Sequence, residues 1–561
     1  MRHWAGLAAS QPRPFVTNAI VTSRRRGRVA EHHPSRRVAW RIQEERNCRL
    51  FGSAEEWGES VGNNRRGLAK QSVVGMFWTS LSMGALAVAE LVALLILARL
   101  LSPNEFGLYS AALIVIKFSA IFQGLGITPA IVQRPVLEER HLRVGFTLSC
   151  LLGLVVSALV WAMAPAIAGL LRLADLAPVV RAICFVFLFQ GASMVALAAA
   201  QRALRFRWLA LVDACAFATG YVVAGPVLAW LGFGIWALVG ALLIQQFIRM
   251  IVLLAGQPHP MRPLLERGAI IELLYFGSGF TIARVCNYLA TQADKLVVGR
   301  WLGADALGLY GLSSQLMTTP AVIVGQVLDR VLFPTMALVQ EQPVRLARAY
   351  RSAVAGCALL VLPASVVVAI VAPELVAVIL GQGWIGVVTP LQILAFSMLF
   401  RTSYKLSDSV SRATGTVYAR AWRQAVFTIG VFAGSLIGQF WGIEGVAFGV
   451  GAAFGINFLL MAQLSLRVTG MTWRDFLVAH LPGLALAGVV GTGVWALVEW
   501  LREFHLSPLP LLIDTALLAS AGGLLLCWIL PSLFLGRDGQ SLLRLLAAVA
   551  PAWPRMKKAT D

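Results

Sequence analysis

Fourteen times along this chain a run of apolar residues approaches or exceeds the roughly twenty needed to cross a bilayer as a helix. The runs cover residues 73–98, 109–132, 144–171, 182–200, 208–230, 235–254, 273–298, 310–333, 353–380, 387–400, 425–441, 446–466, 481–500 and 511–535. Residues of the hydrophobic types make up 58% of the chain and charged residues only 13%, against about 25% charged in an ordinary soluble domain. No water-soluble fold of this length can bury that much apolar surface. A membrane barrel would show segments of about ten residues alternating apolar and polar. These runs are apolar all round and rich in Gly and Ala, so they read as helices, whose backbone polar groups are satisfied within each segment.

The runs fall into two sets. From Arg99 the chain reads R-L-L-S-P-N-E-F-G-L-Y, and from Arg300 it reads R-W-L-G-A-D-A-L-G-L-Y, so that Arg99, Gly107 and Tyr109 answer to Arg300, Gly308 and Tyr310 at a constant offset of 201. The two stretches are expected to be hinge motifs of the repeat. Ala164, Pro165, Val179 and Val180 answer to Ala372, Pro373, Val387 and Val388 at 208, and Arg202, Ala203, Gly220, Gly232 and Ala237 to Arg412, Ala413, Gly430, Gly442 and Ala447 at 210. Chance matches would scatter, whereas a slow drift is what loop-length changes between duplicated units produce. The offset pairs the first span with the seventh and the sixth with the twelfth. Each unit therefore has six spans, an even number, and the two units enter the membrane in the same sense, related by an axis along its normal. The expected fold is an all-α polytopic membrane protein of two parallel-related six-helix bundles plus two C-terminal helices, about 14 spans in all. Its divisions are a basic N-terminal extension (1–70), the first bundle (71–256), the second bundle (270–468), two additional helices (477–535) and a cytoplasmic tail (536–561).

Basic residues in the connections orient it. Nineteen Arg and Lys, among them Arg140, Arg143, Arg202, Arg249, Arg345, Arg348, Arg401, Lys405, Arg412, Arg420, Arg423 and Arg467, fall on alternate loops of one side, against five (Arg99, Arg172, Arg181, Arg300, Arg502) on the other. The positive-inside rule then puts both termini in the cytoplasm. Residues 1–70 carry 14 Arg and Lys against 6 Glu, which on a membrane protein reads as a solvated arm near anionic headgroups rather than a nucleic-acid site. The seven cysteines show no metal or disulfide spacing, so packing is their expected role.

Several chemistries are missing. No G-x-x-x-x-G-K-[ST] occurs, so energy must come from a gradient rather than from ATP bound to this chain. The outer connections are short and bring together no Ser, His and Asp set. No catalytic residue, metal site or cofactor is expected. Charges within spans are more telling, because each is expensive in hydrocarbon and persists only beside a cavity or a partner. They are Glu90, Lys117, Asp213, Arg284, Asp294, Lys295, Asp329, Arg330 and Asp514. Arg284, Asn287 and Thr291 follow one another at spacings of 3 and 4 on the seventh span and share a face. The expected substrate cavity is built from Arg284, Asn287, Lys117, Glu90, Asp294 and Lys295. Competing structural roles exist: Lys117 could bridge to Glu90, Asp294 and Lys295 could form a local pair at the outer end of their span, and Asp329 with Arg330 could cap. Lone cations in a cavity suit an anionic substrate, and Arg suits phosphate.

The repeated motif, the stretch A-D-K-L-V-V-G-R-W-L-G-A-D-A-L-G-L-Y from Ala293 to Tyr310 and the twelve-plus-two span layout together resemble the polysaccharide transporter branch, the Wzx-type O-antigen and exopolysaccharide flippases, of the multidrug/oligosaccharidyl-lipid/polysaccharide exporter superfamily. The resemblance covers about residues 70–468. It implies two bundles around a central cavity in the bacterial inner membrane and transport of an undecaprenyl-pyrophosphate-linked oligosaccharide from the cytoplasmic to the periplasmic leaflet. A cation-lined cavity, coupling to protons or sodium, and a place beside polysaccharide polymerase and glycosyltransferases are implied as well. Alternatives stay open: a lipid II flippase or a cation-coupled multidrug antiporter of the same superfamily or, in another class, an O-antigen polymerase or ligase or a non-transporting assembly partner. An antiporter of cationic drugs would want an acidic cavity, and a polymerase a large outer loop.

Overall fold

A computed structural model describes residues 89–540 except 91, 94, 125, 135, 136, 269, 271–284, 286, 290, 505, 506, 537 and 538, with backbone alone at 322–335, 337, 338 and 417. The N-terminal extension, most of the first and seventh spans, Arg284, Cys48, Cys286 and the end of the tail thus lie outside the described residues, as do the side chains of Asp329 and Arg330. Every described residue falls in one compact unit, Val74–Asp561. Of the described residues 89% are helical and none is in a strand. We number the long segments α1 (89–100), α2 (Pro103–Gly124), α3 (Glu139–Leu171), α4 (Leu176–Arg202), α5 (Phe206–Trp230), α6 (Ile235–Gly256), α7 (the described part, 285–302), α8 (Gly303–Leu338), α9 (Pro343–Ile370), α10 (Gln382–Ala413), α11 (Val417–Gly438), α12 (Gly442–Thr469), α13 (Trp473–Glu503) and α14 (Pro508–Ile529). Ten helical stretches meet a membrane span's length and apolarity among the described residues, one of them the 52-residue run through α11 and α12.

Local chemistry sets the helix ends. At the start of α3 the Glu138 side chain and His141 cap each other's backbone N–H groups. Thr472 accepts the backbone N–H of Asp475 at 3.2 Å to start α13, and returns its hydroxyl proton to the Asp475 carboxylate at 2.6 Å. Three boundaries differ from the sequence reading. The ninth span does not run unbroken to 380: Pro373 cannot continue the hydrogen-bond ladder, so α9 stops at Ile370 and a separate helix, Ala372–Ile379, follows. The tenth is not 387–400 but the much longer α10, because its second half, Met398–Ala413, is rich in Ser, Arg and Lys and so carries no apolar run although most of it is buried. The fifth contains a turn of π-helix, Ala218–Ala224.

Packing divides the molecule along the membrane normal. At the end holding the motifs 99–109 and 300–310, one continuous core joins both repeats, from Leu97 and Phe106 through Val160 and Leu238 to Leu307, Trp384, Leu391 and Val446. At the other end each repeat keeps its own cores: Ile127, Val144 and Val195 and Leu209, Val212 and Leu253 in the first, Met336, Tyr350, Val410 and Leu466 in the second. Among the described residues the cores of the two units are thus joined at one end and distinct at the other. The last two helices belong to the second unit's side: α13 lies so close along α9 that a Cβ on Gly483 would come within 2.7 Å of the Ala358 backbone, and Arg502 pairs with Glu374 at 2.8 Å. Outside, Trp161, Trp230, Trp301, Trp441, Trp495 and Trp500 are exposed, as a bilayer and its interfaces require.

Candidate functional site

α2 and α7 carry the site. From the fused end, α2 buries Phe106, Leu108, Tyr109, Ala111, Ala112, Ile114 and Ile116, then exposes Lys117. The Tyr288 hydroxyl of α7 donates to the Ile114 carbonyl at 2.8 Å and its ring lies 6.1 Å from that of Phe118, which fixes the two helices side by side. Between them opens a pocket of about 320 Å³ lined by Lys117, Ala120, Ile121, Asn287 and Tyr288. Lys117 and Asn287, 170 residues apart in the chain, thus face one space. Thr291, on the same helix, returns its hydroxyl to the carbonyls of Asn287 and Tyr288 at 3.1 and 3.0 Å.

The other expected cavity residues sit around this pocket rather than in its lining. Glu90, exposed on α1, feels the charge of Lys117, but among the described residues the two make no ion pair, so the structural bridge between the first helices is a field effect only. Asp294 is buried. Its carboxylate accepts the Tyr310 hydroxyl at 2.8 Å and the Lys295 backbone N–H at 2.8 Å. Lys295 is half-buried within electrostatic range of Asp294, Lys117 and Arg401. Asp213, by contrast, is committed to Arg249 at 2.7 Å, and Asp514 stands exposed on α14.

Sequence reasoning misplaced Arg401 and Lys405, counting both among loop cations. They lie inside α10. Arg401 is 7% exposed; it donates to the Thr318 hydroxyl at 3.2 Å, stacks 4.2 Å above the Phe454 ring, and leaves its Nε–H without a partner. Lys405 donates to the Ala321 carbonyl at 3.2 Å. Arg412 pairs with Asp408 at 3.2 Å, Arg420 of α11 pairs with the same carboxylate, and Arg423 is buried on the Leu460 and Ala419 carbonyls. The usable signal was spacing: 401, 405, 408 and 412 follow at 4, 3 and 4, one face of a helix. Cations thus come from both units, Lys117 exposed to the pocket from the first, half-buried Lys295 and buried Arg401 from the second, and none of the three is in an ion pair among the described residues. Such an interior favours an anion.

The motifs flanking these helices meet one another. Asn104 donates to the Asp305 carboxylate at 3.0 Å. A Cβ on Gly107 would overlap the carbonyl of Ala304, and one on Gly308 that of Pro103. The Arg99 guanidinium reaches the Val378 and Ile379 carbonyls, and the Trp384 indole donates to the Ala98 carbonyl at 2.6 Å. Tyr109 bonds Tyr221 of α5, whereas its counterpart Tyr310 bonds Asp294. Arg300 lies 5.8 Å from the Trp301 ring.

Residues 96–389, more than half the chain, match the model of a family described as polysaccharide biosynthesis protein. The chain belongs to that family. It is 25% identical over 425 residues to the lipopolysaccharide biosynthesis protein WzxC of Escherichia coli K12, covering 73% of this chain and 84% of that one. It is also 27% identical to the succinoglycan biosynthesis transport protein ExoT of Rhizobium meliloti, over 59% of this chain and 66% of that one. The teichuronic acid biosynthesis protein TuaB of Bacillus subtilis is 25% identical, over 62% and 72%. Among solved structures, the lipid II flippase MurJ in an inward closed conformation superposes with a TM-score of 0.67 at 14% identity, over 82% of this chain and 98% of that one. An inward-facing multidrug transporter of the MOP superfamily gives 0.55 at 15% identity, over 68% and 94%. The polytopic all-α fold and the resemblance read from the repeated motif are borne out, and the chain is a multi-pass membrane protein.

Proposed function

We propose that this protein is a flippase that moves an undecaprenyl-pyrophosphate-linked oligosaccharide repeat unit across the bacterial inner membrane by alternating access, for surface or extracellular polysaccharide synthesis. The observation that carries the reading is the Lys117–Asn287 pocket between the helices that join the two repeats, beside which the cations Lys117, Lys295 and Arg401 have no ion-pair partner among the described residues. A pyrophosphate or an acidic sugar supplies the missing charge, the amide of Asn287 suits sugar hydroxyls, and the Tyr288 ring offers an apolar face. By the same sequence spacing, Arg284 joins Asn287 as a cavity cation.

The loop asymmetry, 17 basic residues against 5 once Arg401 and Lys405 are set aside as helix residues, orients the fused end toward the periplasm. Both termini are then cytoplasmic, and the end at which the cores are separate faces the cytoplasm, where lipid-linked units are assembled. With no nucleotide-binding loop in the sequence, the energy source is an ion gradient, the membrane potential or the substrate's own gradient, and proton or sodium coupling is the form that the family resemblance implies. Reporter fusions at Arg345 and Asp305 are expected to report opposite sides of the membrane; the same side for both overturns the orientation. For the cargo, the full chain is expressed in a strain lacking its own oligosaccharide flippase. Restored surface polysaccharide, with loss of the accumulated lipid-linked intermediate, is the expected result. Rescue of a strain depleted of its lipid II flippase instead, or raised resistance to cationic drugs with no polysaccharide, assigns a different cargo.

A further inference from the structure

We propose that the two copies of the repeated motif, 99–109 and 300–310, are the two halves of a single gate, each locked on the other, and that they part for the cavity to open at this end. The inference rests on the transport reading above and adds to it which residues hold the exit shut.

The contacts are reciprocal. Asn104 and Asp305 occupy equivalent places in the repeat, 201 residues apart, and they hydrogen-bond to each other. Gly107 and Gly308 are equivalents, and so are Ala304 and Pro103, the residues whose carbonyls they touch. A contact in which residue i meets j while the counterpart of j meets the counterpart of i is the isologous pattern of a two-fold axis, so the axis relating the units passes through the motifs. Backbone meets backbone there because both positions are Gly, which lets the helices approach without side chains between them. Straps then cross from the first unit to the second: Arg99 on the carbonyls at the end of the 372–379 helix, the Trp384 indole on Ala98, and the Phe106 ring edge-on to Trp384 at 5.2 Å. A hinge bends within one element. Here the two copies close on each other, while at the opposite end the described residues form distinct cores in each unit, so parting this seam is the step that opens the cavity at this end. Asn104 and Asp305 sit at its exposed edge, where water can take over their hydrogen bond as it breaks.

The test reads the gate without reference to cargo. In the full chain with its seven native cysteines replaced by alanine, a reporter cysteine is placed at Leu113, one turn toward the seam from Lys117 on the same helix face. A membrane-impermeant maleimide is applied separately to each face of sealed vesicles. Asn104→Asp sets two carboxylates opposite each other and should raise labelling from the fused-end side roughly tenfold or more. The swap Asn104→Asp with Asp305→Asn restores the pair in mirror image and should return labelling to the starting rate. Gly107→Ala should raise it as well. Unchanged labelling in Asn104→Asp at normal abundance, or no return in the swap, overturns the gate. Labelling that responds as stated in a protein that carries no lipid-linked glycan keeps the gate and rejects the cargo, so the two readings fail separately.

Discussion

The two repeats share a scaffold and differ in what they bury beneath it. In the first, the motif tyrosine Tyr109 bonds a second phenol, Tyr221, and that ring stacks on Phe217 at 5.1 Å. In the second, Tyr310 bonds the carboxylate of Asp294, with Lys295 and Arg401 in electrostatic range of it. One lock is neutral and the other is charged. Duplication thus supplied matching geometry, while later divergence placed an acid and two cations in only one copy. A neutral bond can break and re-form with little change in field. A buried carboxylate that loses its donor cannot, since an uncompensated charge in a low-dielectric interior is strongly unfavourable. On the transport reading proposed above, the second unit is therefore the one expected to respond to charge arriving in the cavity.

That asymmetry can be broken by substitution. The largest effect is expected from Asp294→Ala, which leaves the buried Tyr310 hydroxyl and the Lys295 backbone N–H without their charged acceptor and should cost about 3–5 kcal/mol, two hydrogen bonds to a charged group; thermal unfolding in detergent should show a large loss, or the protein should fail to accumulate. Neutralising Arg401 as well, as Arg401→Met, should recover part of that loss, which a simple packing defect at Asp294 does not predict. Next comes the tyrosine pair. Tyr310→Phe removes a bond to a charged acceptor and should destabilise by about 1.5–3 kcal/mol, against about 0.5–1.5 kcal/mol for Tyr109→Phe, both read as shifts in unfolding midpoint. Equal losses would mean that the two locks are energetically alike and the comparison fails. The smallest effect belongs to Asp213→Asn. Its partner Arg249 keeps a quarter of its side-chain surface in contact with solvent and Asp213 itself 41%, so this pair should be worth about 1 kcal/mol or less.

Much of this was legible in the sequence, and what was not has physical reasons. The helices, the duplication and the two extra C-terminal spans follow from apolar run length and the repeat offset, because a bilayer imposes a fixed length on every segment. Lys117 and Asn287 could be nominated since a charge or amide in hydrocarbon needs a reason to be there. Arg401 and Lys405 were read as loop residues because Met398–Ala413 buries serines, threonine and arginine against other helices; hydropathy cannot tell a polar helix inside a protein from a polar loop outside it. The break at Val371 was available in Pro373 but was outweighed by the apolar run around it. That the two motif copies touch each other was beyond reach, since an offset reveals equivalence and not contact.

The most direct measurement of the central claim is flux through the purified full chain in sealed vesicles, with an undecaprenyl-pyrophosphate oligosaccharide as cargo and leaflet exposure read by an impermeant glycan-modifying reagent. Wild type should expose the glycan on the opposite face when a proton or sodium gradient is imposed. Lys117→Gln, which keeps a polar side chain one atom shorter and removes the charge, should lower that rate by roughly tenfold or more, the loss of one charge-assisted contact to phosphate, with unchanged unfolding temperature. An undiminished rate in Lys117→Gln, or no glycan exposure by the wild-type protein under either gradient, would contradict the account.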